Sequence, residues 1–152
     1  MIKLLVAGIT FLVFYFDRKP YSKLIKTWCT LFHMKIKYYN RYTDKFEVDV
    51  VDNILYISRY NKATHTVEEY VYSLAHEIGH LIDYAYKEHY YEDDTIVSKL
   101  TDKQAVYQDE VVAWKIARVL LIEANEPGLF NQKTFNSLKN RCLNEYKKAL
   151  DL

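Results

Sequence analysis

The chain has 152 residues, half of them apolar and 27% charged, interrupted by only three glycines and two prolines. A packed core is within reach and general disorder is excluded. Twenty-one Lys plus Arg against twenty Asp plus Glu leave a formal charge of +1, which is not the basic excess of a typical nucleic-acid binder, so no nucleic-acid partner is expected. Cys29 and Cys142 stand far apart, with no C-x-x-C spacing, and read as free thiols rather than a disulfide scaffold or a cysteine-rich zinc site.

No repeat, linker or low-complexity tract breaks the chain, so residues 1–152 are expected to form a single domain. Leu4 to Phe16 carry no charge. That run is short for a membrane helix, and Asp17-Arg18-Lys19-Pro20 supplies no small-x-small cleavage site. Its β-branched and aromatic residues favour a core strand, with an export signal or membrane anchor as the alternative. A cytoplasmic protein is therefore expected, secreted or anchored only if residues 1–16 act as a signal. Pro20 can open a helix carrying Leu24, Ile25, Trp28, Leu31 and Phe32, ending near His33. Short β-rich runs follow at Ile36–Tyr39, Phe46–Val51 and Ile54–Ile57, with Asp52-Asn53 as a hairpin turn, and these predict a small antiparallel sheet.

Thr64 or Thr66 can cap the next helix, with Glu68 and Glu69 in its first turn, running to about Tyr86. On a wheel, Val67, Val71, Leu74, Ile78, Leu81, Ile82 and Ala85 share one arc, while Tyr72, His76, His80 and Asp83 gather opposite, which predicts one packed and one polar face. Residues 87–99 read as an exposed connection. A largely buried helix is expected over Thr101–Ala124. After Pro127-Gly128, Asn131 caps a final amphipathic helix bearing Phe135, Leu138, Cys142, Tyr146 and Leu150. The expected class is α+β: a small sheet with an N-terminal helix and three following helices.

The stretch that carries chemistry is His76-Glu77-Ile78-Gly79-His80, an H-E-x-x-H. Histidines four apart on a helix stand one turn above each other, so both imidazoles can reach one zinc ion while the glutamate faces the same cleft. Gly79 inside the helix costs about 1 kcal/mol relative to Ala, a sacrifice that makes sense if another segment passes close by. A catalytic zinc takes three protein ligands plus a water, so a third ligand must come from elsewhere. Asp109 and Glu110 both fall in the apolar arc of the following helix, where a carboxylate is expensive unless paired or bound to metal. Glu110 shares a stripe with Val106, Ala113, Trp114, Ala117 and Leu121 and has the longer reach, so it is preferred, leaving Asp109 to orient a ligand histidine. His89 would serve only if the helix ended early and turned back. Asp83 suits an acceptor for an imidazole N–H or a solvated charge. His33 and His65 default to structural roles.

His76-Glu77-x-x-His80 followed thirty residues later by Glu110 resembles the gluzincin branch of the zincin metallopeptidases. Glu110-x-x-Ala113-Trp114 is similar to the third-ligand helix of small metallopeptidase-like proteins of bacteriophages and mobile elements. The likeness covers about residues 36–123. Two departures stand out. Trp114 occupies the place where thermolysin-like enzymes have an aspartate, and Asp83 and Tyr86 replace the glycine and histidine a metzincin needs. The resemblance implies a zinc-dependent endopeptidase acting on protein or peptide, with zinc on His76, His80 and Glu110 and with Glu77 as general base. It also implies an edge strand along the cleft, for which Ile54–Ile57 is the candidate. Tyr84, Tyr86 and Tyr107 are candidates for the oxyanion donor. The alternatives are a zinc-stabilised, non-catalytic module that binds a host protein, or a secreted or membrane-tethered accessory protein. Membrane association is otherwise not expected, and the sequence carries no signal for oligomeric state or cleavage specificity.

Overall fold

The computed structural model describes residues 22–39, 46–58, 65–90 and 102–152. The apolar run Leu4–Phe16 lies outside them, as do residues 91–99 of the expected connection. The chain divides into two compact units, Met1–Met34 and Lys35–Leu152. In the first, helix α1 spans Ser22–Leu31 and buries Leu24, Ile25 and Trp28, the i, i+1, i+4 spacing of one helical stripe. It closes with the Met34 N–H donating to the Cys29 carbonyl and with His33 in the left-handed region (φ 52°).

The second unit opens with three strands, β1 (Lys35–Tyr38), β2 (Phe46–Asp49) and β3 (Ile54–Ile57). Only β2 and β3 pair antiparallel; β1 runs parallel to β3, in the order β1-β3-β2. The sheet is therefore mixed rather than antiparallel, and Ile54–Ile57 is its centre rather than an edge. The physical reason lies in the strand compositions. Ile54, Leu55 and Ile57 are buried and gain most from a neighbour on each side, whereas Lys35-Ile36-Lys37-Tyr38 alternates charge with apolar area in the manner of an edge strand. The second strand stops at Asp49, two residues earlier than its β-branched run suggests. Asp49 Oδ1 accepts the N–H groups of Val51 (3.1 Å) and Asp52 (3.0 Å), and Asn53 takes the positive φ (53°) that returns the chain.

Helix α2 (Val67–Tyr90) begins at a reciprocal capping box. The Glu69 N–H donates to Thr66 Oγ1 (3.1 Å) and the Thr66 N–H to Glu69 Oε2 (3.2 Å). Helix α3 (Asp102–Glu123) packs along it, and α4 (Gln132–Leu150), capped by Asn131 on the Thr134 N–H, leans on both. These contacts change the expected faces of α2. Its polar side is not wet: Tyr72, His76 and Asp83 are all buried, because α3 covers that side while the sheet covers another. Conversely, α3 is not buried all round. Glu110, Ala113, Trp114, Ala117 and Leu121 form a single buried stripe, while Val106, Val119 and Ile122 are exposed. No helix among the described residues is long and apolar enough to cross a membrane.

Candidate metal centre

The site is built where α2 crosses α3. A Cβ placed on Gly79 would lie 2.4 Å from the Ala113 carbonyl oxygen and 3.0 Å from its carbon, so only glycine lets the two backbones meet. Gly79 lies between His76 and His80, and Ala113 is one turn beyond Glu110, so this contact brings the three side chains into one place. His76 Nε2 is 3.2 Å from His80 Nε2 and 3.1 Å from Glu110 Oε2, and His80 Nε2 is 3.4 Å from Glu110 Oε1. His76 and Glu110 are buried, and His80 is half-buried. Among the described residues this is the group of metal-ligating side chains that converges.

The donor set and its dimensions fit a small dication. Ligand atoms about 2.0–2.1 Å from a tetrahedral ion stand about 3.3 Å from each other; the two imidazole nitrogens are 3.2 Å apart, and each lies 3.1 or 3.4 Å from a different oxygen of the Glu110 carboxylate. Two imidazole nitrogens and a carboxylate are also the usual ligands of an open zinc site. The charge pattern points the same way. Burial acts to raise the Glu110 carboxyl, but hydrogen bonds from His76 and His80 override it and hold it at about 2. Burial lowers the His76 imidazole. It acts the same way on His80, where the hydrogen bond to Glu110 and the nearby carboxylates win and raise the imidazole. Where two imidazoles and a carboxylate share so little space, a positive charge is favoured; a proton or a metal ion can supply it.

Glu77 occupies the neighbouring position. Burial raises its carboxyl to about 8, helped by the charges of Glu110 and Glu47 and opposed by His80 and by a hydrogen bond from the Val48 backbone. That last contact makes β2 the strand beside the site. β2 is also the one that lies most closely against α2, through contacts such as the edge-on packing of Phe46 on Tyr70 at 5.3 Å. The strand expected to border the cleft, Ile54–Ile57, is instead screened by β2.

Several candidates take other places. Asp109, expected to orient a histidine, is bound by Lys87 Nζ at 2.6 Å, and Lys87 also holds Asp83 at 2.7 Å. Both acids are committed to that ammonium. His89 lies in the last turn of α2, which continues to Tyr90, so its backbone stands about 13 Å along the axis from His80. His65 packs edge-on against Phe46, and His33 is exposed in the turn after α1. Among the tyrosines, Tyr86 is exposed and Tyr107 lies under Lys147 Nζ at 5.3 Å. Among the described residues, Tyr146 of the amphipathic α4 is the tyrosine that reaches the acid of the triad. Tyr146 hydrogen-bonds to Glu110, and its hydroxyl is pushed up by burial, by the Glu110 charge and by that bond. The only sequence signal for it was the i, i+4 step from Cys142 on α4, which suits packing as well as chemistry. Compared with known proteins, the chain matches no family model, no curated protein and no solved structure.

Proposed function

We propose that this chain is a zinc-dependent metallopeptidase of gluzincin type, with His76, His80 and Glu110 as metal ligands and Glu77 as general base. The observation that carries the reading is the convergence of the two imidazole nitrogens and the Glu110 carboxylate to within 3.1–3.4 Å, beside a glutamate that a metal site without chemistry has no need of. A zinc ion held there supplies Lewis acidity, bringing the pKa of a water molecule toward neutrality and polarising a peptide carbonyl.

The chain's own residues do the rest. Glu77 accepts a proton from the attacking water and passes it to the departing amine. Burial holds its carboxyl up at about 8, and a positive charge held by His76, His80 and Glu110 would bring it down toward the ionised form a base requires. The Val48 N–H fixes that carboxyl against the edge of β2. An extended peptide is the fitting substrate, because the outer edge of β2, apart from the Val48 N–H held by Glu77, is unpaired by any described strand and can take main-chain hydrogen bonds.

Glu77→Gln tests the reading. The variant keeps the ligand triangle and is expected to retain zinc while losing about 10²- to 10⁴-fold in peptide turnover. A zinc-loaded wild type that cleaves no member of a broad peptide library, with Glu77→Gln indistinguishable from it, contradicts the peptidase and leaves a zinc-stabilised binding module.

A further inference from the structure

A histidine that binds a metal through Nε2 ordinarily donates its other ring N–H to a carboxylate, a carbonyl or a water, which fixes the ring's orientation. His76 departs from this. Its Nδ1 is buried and meets no hydrogen-bond partner among the described residues. What covers the ring is Trp114, with centroids 4.4 Å apart and planes inclined by 22°, an offset stack. The carboxylates that stand nearby in sequence are used elsewhere, since Asp83 and Asp109 both bind Lys87.

We propose that Trp114 is the positioning residue of His76, its buried indole holding the imidazole by stacking where a hydrogen-bond acceptor would otherwise do so. The proposal rests on the metal-centre reading above. The indole is itself immobilised. It is 2% exposed, and Phe135 of α4 meets it edge-on at 5.5 Å and 75°. Behind Phe135 stands Tyr72, again edge-on at 5.5 Å. The Tyr72 hydroxyl donates to the Leu129 carbonyl at 2.7 Å and accepts the Asn131 N–H at 2.8 Å. The plane of His76 is thus referred through three rings to the turn that starts α4. Trp114 also sits one turn beyond Glu110 on α3, so the same helix delivers the third ligand and the surface that aims the first.

The test compares wild type, Trp114→Phe and Trp114→Leu. Zinc affinity is read by competition with a chelator, fold by melting temperature, and the His76 stack by the ring-current shift of its imidazole protons in NMR spectra. The expected wild-type result is His76 ring protons upfield of those of His80. Trp114→Phe, which keeps an aromatic face, retains most of the zinc affinity. Trp114→Leu loses about 10- to 100-fold, the usual effect of removing an outer partner of a metal ligand, together with the upfield shift. A folded Leu variant that binds zinc as tightly as wild type overturns the role of Trp114 and leaves the metal centre standing. Should the Leu variant not fold, absence of the upfield shift in wild type, or a folded Phe variant that binds as weakly as the Leu variant is expected to, overturns it instead. A wild type that takes up no zinc overturns the metal-centre reading, and the proposal with it.

Discussion

Asp109 and Glu110 are neighbours on α3 and face two different ends of the same helix crossing. At one end Asp109 meets Lys87, which also binds Asp83, and two carboxylates share a cation that the chain itself supplies. At the other end Glu110 meets His76 and His80, and a carboxylate and two imidazoles converge with no lysine or arginine among the ion pairs they make with the described residues. The first end is wetter, with Lys87 about two-fifths exposed, and the second is nearly dry, with the Glu110 side chain 8% exposed. An acid at a wet edge is adequately served by a flexible ammonium. An acid in a dry crossing is costly unless it is paired, and here its partners are two imidazoles, the arrangement on which the proposed metal centre rests.

The contrast can be broken most severely at the point that both ends share. Gly79→Ala should gain about 1 kcal/mol in helix propensity, yet the new methyl meets the Ala113 backbone, which cannot swing aside as a side chain can. A net destabilisation of about 1–3 kcal/mol is expected, read as a lower denaturant midpoint, with weakened zinc binding because Glu110 moves away from the histidines. Lys87→Met acts on one end only. It leaves the buried Asp83 without its cation and should destabilise by about 1 kcal/mol, the pair being partly screened by solvent. Zinc affinity should change far less than stability, and adding Asp109→Asn should recover part of the loss.

The smallest effect is a pair of opposite pH dependences in metal-free protein. Glu110 is held at about 2, below its ordinary 4.5. Its contribution is therefore present above pH 4.5 and is lost as pH falls toward 2. Burial tends to lower Lys87, but its hydrogen bonds to Asp109 and Asp83 raise it above 10.5. That contribution is present below pH 10.5 and is lost as pH climbs through the raised value. Melting curves in chelator should show Glu110→Gln converging on wild type at the acid end and Lys87→Met at the alkaline end. Convergence of both variants at the same end would contradict the separation of the two clusters.

Local rules made much of this crossing legible from residues alone. The Thr66/Glu69 box, the Asn131 cap, the i, i+4 histidines and the helical glycine each act within a few residues. The choice of Glu110 over Asp109 followed from one stripe of α3, and the buried side of that helix does carry Glu110, Ala113, Trp114, Ala117 and Leu121. Long-range choices were not legible. Strand order depends on which of three short segments gains most from the centre, and the parallel pairing of β1 with β3 joins segments with another strand between them in sequence. The polar face of α2 is largely buried because α3, which begins twelve residues after α2 ends, lies on it. Tyr146 was hidden for a related reason, since an aromatic at helical spacing looks the same whether it fills a core or flanks a site, and Trp114 stood out only as a departure from an expected aspartate.

The most direct measurement is zinc content after purification and exhaustive dialysis of wild type, His76→Ala, Glu110→Ala and Asp109→Ala. About one zinc per chain is expected in wild type and in Asp109→Ala, and close to none in the other two. A wild type without zinc, or a site emptied by Asp109→Ala and left filled by Glu110→Ala, would contradict the assignment of the dry end of the crossing as the place where the ion binds.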